Sequence, residues 1–217
     1  MKSKILFLII LSYFFSQCSS IPKIHEDQSL LNTIIFKKCH NAFLKNPETR
    51  IHSIQATMGN RKATPFIGIT TANPETRKIH SALMSIEGLV LFEAVNDKKL
   101  TINRAVGPFN SKSFAIRLID DINSIFFKPE GKLIKTGLLK DGSMICRYKK
   151  NEIITDIIYD DSTKWTINVY TKKSIKKKIE ILTQGTEKEH GWIKLKSYGR
   201  NKYNLDMKLI RTEKSKN

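Results

Sequence analysis

Lys202-Tyr-Asn-Leu-Asp-Met-Lys208 places Tyr203, Leu205 and Met207 on one side of an extended chain and Lys202, Asn204, Asp206 and Lys208 on the other. A period of two belongs to a strand with one dry face and one wet face. Lys164 to Tyr170 repeats the pattern, with Trp165, Ile167 and Val169 against Thr166, Asn168 and Tyr170. The same alternation predicts strands near 50–58, 64–71, 77–85, 89–94, 99–105, 132–139, 144–149, 152–159, 177–183 and 190–198. Turn-forming pairs separate them, among them Asn73-Pro74, Glu87-Gly88, Asn96-Asp97, Glu130-Gly131 and Asp141-Gly142. Links this short imply antiparallel neighbours and one long meander, since a parallel pair needs a crossover of a dozen residues or more.

Two stretches follow the helical period instead. From about Asp27 to Leu44, the residues Leu30, Leu31, Ile34, Ile35, Cys39 and Phe43 form an apolar stripe that Asn46-Pro47 stops. After Gly107-Pro108, Phe114, Leu118, Ile122, Ile125 and Phe126 share a face opposite Lys112, Arg117, Asp120, Asp121 and Ser124. Asn110 or Ser111 is placed to cap that helix, and Pro129 to end it. Two helices are too few to wrap so many strands, but they suffice to cover one apolar face. The expected class is α+β: a strongly curved antiparallel sheet of about 11–12 strands, an incomplete barrel, with the helices covering its concave face.

The first twenty residues, MKSKILFLIILSYFFSQCSS, read as an export signal. Lys2 and Lys4 precede an apolar run from Ile5 to Phe15, too short for the ~20 residues that span a bilayer. Phe15-Ser16-Gln17-Cys18 makes Cys18 the candidate lipid anchor, with the outer membrane as the expected location because Ser19 is not acidic. Cleavage after Ser20 to a soluble periplasmic protein, or an uncleaved anchor, are the alternatives. Residues 21–211 then form one domain, expected to be monomeric, and 212–217 a frayed tail.

The 217-residue chain carries a net charge of +18, and loss of residues 1–17 removes Lys2 and Lys4 and no acid, which leaves +16. For an exported chain, anionic headgroups or acidic glycans are more accessible partners than nucleic acid. The dense run Lys172 to Lys178 would repel itself inside an element and is expected in a turn. Cys39 and Cys146 make an even pair in an oxidising compartment, where either a disulfide or two buried thiols is chemically permitted.

No catalytic pattern emerges. His25, His40, His52, His80 and His190 lack a metal-ligand spacing, and there is no nucleophile elbow or phosphate-cradling glycine loop. Asp120-Asp121 and Asp160-Asp161 are explained by a helix surface and a turn without a bound cation. No enzyme, metal or cofactor is therefore expected. An apolar interior is what remains, and hydrocarbon is held there by area alone at ~0.8 kcal/mol per methylene. Candidate lining residues are Ile67, Ile69, Leu83, Leu91, Ile102, Phe114, Leu118, Ile122, Phe126, Trp165 and Trp192, with ordinary core packing as the alternative for each.

Three stretches carry a resemblance. They are Phe66-Ile-Gly-Ile-Thr-Thr-Ala-Asn-Pro-Glu-Thr-Arg77, His80-Ser-Ala-Leu-Met-Ser-Ile-Glu-Gly-Leu-Val-Leu-Phe-Glu93, and Ala105-Val-Gly-Pro-Phe-Asn110 leading through the helix to Lys128-Pro129-Glu130. The chain resembles small bacterial lipoproteins similar to the LolA/LolB lipoprotein-localisation type. The resemblance implies a half-barrel with a helical lid that binds the acyl chains of lipoproteins, anchored in the outer membrane in the LolB-type member. A lipid or acylated protein is thus the expected partner, beside an anionic membrane surface. A non-catalytic adaptor docking an envelope partner or glycan through its basic surface is the alternative.

Overall fold

A computed structural model describes residues 21–25, 29–59, 61–160, 163–172, 174–184, 189–199 and 202–214. Cys18 and the rest of the expected export signal lie outside them. Two helices, α1 (Ser29–His40) and α2 (Lys112–Phe126), accompany thirteen strands among the described residues. The first meander holds β1 (Glu48–Met58), the two-residue β2 (Arg61–Lys62), β3 (Phe66–Asn73), β4 (Lys78–Ser85), β5 (Val90–Asp97) and β6 (Lys99–Ala105). The second holds β7 (Lys132–Leu138), β8 (Met144–Lys150), β9 (Ile153–Tyr159), β10 (Lys164–Thr171), β11 (Ser174–Gln184), β12 (Glu189–Ser197) and β13 (Tyr203–Lys214).

The sheet runs β6-β5-β4-β3-β1-β13-β12-β11-β10-β9-β8-β7, and every pairing described is antiparallel. This corrects the single meander read from short links. The first and last strands pair with each other, from Glu48 against Lys214 to Met58 against Tyr203, and join two meanders side by side. Helix α2 is the connection between them, leaving edge strand β6 and arriving at the opposite edge, β7. Those two edges do not pair among the described residues, so the sheet is open.

Local chemistry explains most boundaries. The Ser111 hydroxyl accepts a hydrogen bond from the Phe114 amide at 3.2 Å and caps α2, whose end falls three residues before Pro129. Gly142 takes φ +85° in the β7–β8 turn, where Asp141 Oδ1 accepts from the Ser143 amide at 3.0 Å. Two expectations are corrected. The lysine run does not sit wholly in a turn: Lys172 is in the turn, but Lys176, Lys177 and Lys178 lie inside β11. The strand β13 also extends to Lys214, three residues into the segment expected to fray, because Thr212, Glu213 and Lys214 pair with Arg50, Thr49 and Glu48.

Both helices contribute buried residues to one core shared with the strands. Ala115, Ile119, Ile122, Ile125 and Phe126 of α2 join Ile79, Phe92, Ile157, Ile167, Ile179, Ile181, Ile193 and Leu195 of the strands in one core. Helix α1 is stapled to β8 by a disulfide between Cys39 and Cys146, whose Cα atoms are 6.3 Å apart. The pair closes a loop with a sequence separation of 107. In the chain-entropy account, a loop of that size stabilises the fold by about 4–5 kcal/mol. Urea unfolding of the Cys39→Ala/Cys146→Ala variant is expected to show a loss of that order, with α1 the first element to lose amide-exchange protection; an unchanged midpoint would contradict it.

Candidate functional site

Register assigns each sequence-predicted lining residue to a face. Leu83, pairing with Phe92, and Trp165, pairing with Tyr159 and Ile181, belong to the helix-packed face and are buried. Ile102 pairs with Ala94 on that face near the sheet edge and is 37% exposed. From α2, Ile122 and Phe126 are buried, while Phe114 and Leu118 are half-buried against the core. The remaining four candidates are corrected. Ile67 and Ile69 pair with Ser53 and Ile51 on the opposite face, and Trp192 pairs there with Leu182 and Lys208. Leu91 is the extra residue of a bulge between Phe92 and Val90 and stays outside the core cluster.

A cavity of about 380 Å³ opens between the second half of α2 and strands β8 to β11. Phe127, Ile153, Ile167 and Val169 supply apolar walls, and Thr155 sits among them. Its cations are mostly paired. Arg77 holds Glu130 at 3.0 Å and donates to the Lys128 carbonyl and to Asn123 Oδ1, and Lys150 pairs with Glu130 as well. Ion pairs of this kind leave the apolar walls as the feature that distinguishes the site.

One wall is a buried ionic clamp. Lys177 Nζ lies 2.6 Å from Asp121 Oδ1 and 2.8 Å from Asp120 Oδ2, and donates to Ser124 Oγ at 3.2 Å. The Tyr203 hydroxyl donates to the other Asp121 oxygen. Burial pushes the Asp121 carboxyl above the usual carboxylate range, against the pull of Lys177 and Tyr203. The cation that the adjacent aspartates hold is thus a side chain of this protein, which fastens α2 to β11 and β13. Asp121 had been expected on the wet face of the helix and is buried instead, because its charge is met there.

Strand β1 carries two more polar residues into the core. Arg50, His52 and Ile54 alternate onto the helix-packed face, where all three are buried. The Arg50 guanidinium lies 5.6 Å from the Phe126 ring centre and pairs through Nε with Glu48, and the His52 and Phe126 rings are 6.0 Å apart. Burial first, and Arg50 second, lower the His52 pKa to about 4. Sequence reading missed Arg50, His52 and Lys177 as interior residues. The signal was present, since Arg50 and His52 share parity with Ile54, and Lys177 with Ile179 and Ile181.

No protein-family model matches the sequence, and no curated protein matches it. Solved structures do. A LolA superfamily protein from Nitrosomonas europaea is similar at TM-score 0.50 and 7% identity, over 85% of this chain and 94% of that one. This chain has a LolA/LolB-like fold. A domain from Vibrio parahaemolyticus, provisionally assigned to outer membrane lipoprotein sorting, superposes at TM-score 0.48 and 8% identity over 86% of this chain and 93% of its own. Identities this low speak for the fold alone. No helix among the described residues is long and apolar enough to cross a membrane.

Two measurements test the interior of this LolA/LolB-like domain. His52 stays neutral in the fold to about pH 4 but takes up a proton near pH 6.5 when unfolded. Its contribution to stability is therefore complete above pH 6.5 and is lost as pH falls toward 4, by about 3 kcal/mol in all. Unfolding curves of the natural chain and His52→Gln should converge across that window; a constant offset would place His52 outside the core. Lys177→Met strands Asp121 in the interior and should cost about 3–5 kcal/mol, much of it restored by adding Asp121→Asn.

Proposed function

We propose that this chain is a non-catalytic envelope lipoprotein, lipid-anchored through Cys18 at the outer membrane, that carries or inserts acyl chains or lipid moieties. The observation that carries the reading is the cavity between α2 and β8 to β11, with its apolar walls on the helix-packed face. Its volume, about 380 Å³, lies in the ~300–1,000 Å³ range of small-ligand sites. The LolA/LolB-like fold supports the same class of function, and the Cys39–Cys146 disulfide suits an exported protein.

A distance argument supports the curled sheet and helical cover that this reading requires. Phe114 of α2 meets Phe92 of β5 with ring centres 5.2 Å apart, while Asp121 of the same helix meets Lys177 of β11. Seven helical residues rise only about 10 Å. Strands β5 and β11 are six places apart in the sheet order, which laid flat is about 29 Å. Long side chains supply part of the difference and curvature toward α2 the rest.

Hydrocarbon in such a cavity needs no dedicated polar partner. Ten methylenes removed from water correspond to about 8 kcal/mol at ~0.8 kcal/mol each, near the free energy of micromolar binding before ordering costs are subtracted. The second reading rests on the opposite face, where Lys178, Lys194, Lys196 and Lys208 gather around exposed Trp192 with Glu180 and Asp206 as counter-charges. That surface suits an adaptor that docks an envelope partner or anionic glycan.

Titration with a fluorescent fatty acid separates the two. Saturable uptake is expected, weakened at least tenfold by Val169→Asp in the cavity wall and unchanged by Trp192→Ser or Ile67→Ser on the other face. Uptake that ignores Val169→Asp would relocate the site. No uptake, together with retention on an anionic glycan matrix that Lys194→Gln/Lys196→Gln abolishes, would favour the adaptor.

A further inference from the structure

Beyond the end of α1 the chain leading into β1 borders a second, partly open cavity, of about 330 Å³. Lys38, Asn41, Lys45, Arg50, Tyr159 and Trp165 are among its walls, and Glu48 is the one acid. Three cations thus face a small space against a single carboxylate. Lys38 Nζ stands 5.1 Å from the Tyr159 ring centre, and Lys45 is exposed at the chain turn. The Trp165 indole donates to the Lys38 carbonyl at 3.4 Å, which occupies one of the acceptors that the end of α1 presents here.

Arg50 is the residue these features turn on. It is 7% exposed, its Nε is taken by Glu48, and its Nη1 is buried with no hydrogen-bond partner. A guanidinium donor left unmet in the interior is costly, and buried donors are almost always paired. The planar fork matches the two oxygens of a carboxylate or phosphate, and Arg is favoured over Lys wherever that match is used. The Phe126 ring packs against the guanidinium, 5.6 Å from its centre, but supplies no oxygen acceptor for Nη1.

We propose that this cavity binds an oxyanion, a carboxylate or a phosphate, with Arg50 Nη1 as the buried donor and Lys38 and Lys45 as the flanking charges. The site goes beyond acyl binding and does not depend on it: the residues are those of α1, β1, β9 and β10, and the apolar cavity beside α2 is a separate space. The anion is either free in solution or the head of an amphiphile.

Trp165 reports on this cavity directly. The chain has two tryptophans, so Trp192→Phe leaves Trp165 as the only one. In that background the purified protein is titrated with sodium phosphate, with decanoate and with decanol. A saturable change in Trp165 emission with an anion is expected, weakened about tenfold or more in Arg50→Met/Glu48→Gln. Decanoate binding far more tightly than phosphate assigns the anion to an amphiphile head; phosphate binding as tightly assigns it to a free ion; either supports the site. Decanol matching decanoate, with no effect of the Arg50 substitution, overturns the anion site and leaves the acyl reading standing. No response to either anion in folded protein overturns it as well. Should the Arg50 variant fail to fold, Lys38→Gln/Lys45→Gln decides, since an affinity that this pair leaves unchanged also overturns the site.

Discussion

The ladder between the first and last strands holds the domain together. From Glu48 against Lys214 to Met58 against Tyr203, β1 and β13 close two local meanders into one sheet. Every other strand pairing on the main path joins elements adjacent in the chain or separated only by the short β2, so each could form from local sequence. This one cannot, because nearly the whole chain lies between its partners. A long-range ladder carries a loop-closure cost that local hairpins avoid, and it repays that cost by bringing strands of both meanders into one core with α2. Without it, Phe126 and Asp121 of one helix would have no common surface against which to pack.

The covered face is not uniformly apolar, and its polar members are arranged in two different ways. Lys177 forms ion pairs with Asp120 and Asp121, the Tyr203 hydroxyl donates to Asp121, and together they bind the connecting helix to the second meander. A buried ion pair of this kind adds little to net stability when compared with an apolar replacement, but it fixes a single position for the helix, because any other leaves a charge unmet. Arg50 is different: only part of its guanidinium is met by Glu48. In one cluster each charge faces an opposite charge of the protein; in the other a guanidinium N–H is left without an acceptor.

Strand parity was legible and its orientation only partly so. In β12, Ile193 and Leu195 claim one parity and Lys194 and Lys196 the other, and Trp192 falls with the lysines. The aromatic ring invited a place in the interior that its strand position denies. In β3 the aliphatic parity, Ile67 and Ile69, faces away from the helices, while Gly68, Thr70 and Ala72 face them. Space decides this: a Cβ added at Gly68 would lie 2.4 Å from Ile54 Cδ1. Small residues sit inside because larger neighbours already fill the layer.

By itself the sequence determined the twelve longer strands and their rough limits, though not the two-residue β2, together with the Ser111 cap, the turns and the antiparallel sense, because the period of two and the chemistry of turns act over a few residues. Tertiary structure decided that β1 lies beside β13, that Cys39 meets Cys146 across a separation of 107, which parity of each strand is covered, and that Lys177 and Arg50 turn inward. Those outcomes depend on which distant group stands opposite, and a charge or an aliphatic side chain finds its place only once that partner is in position.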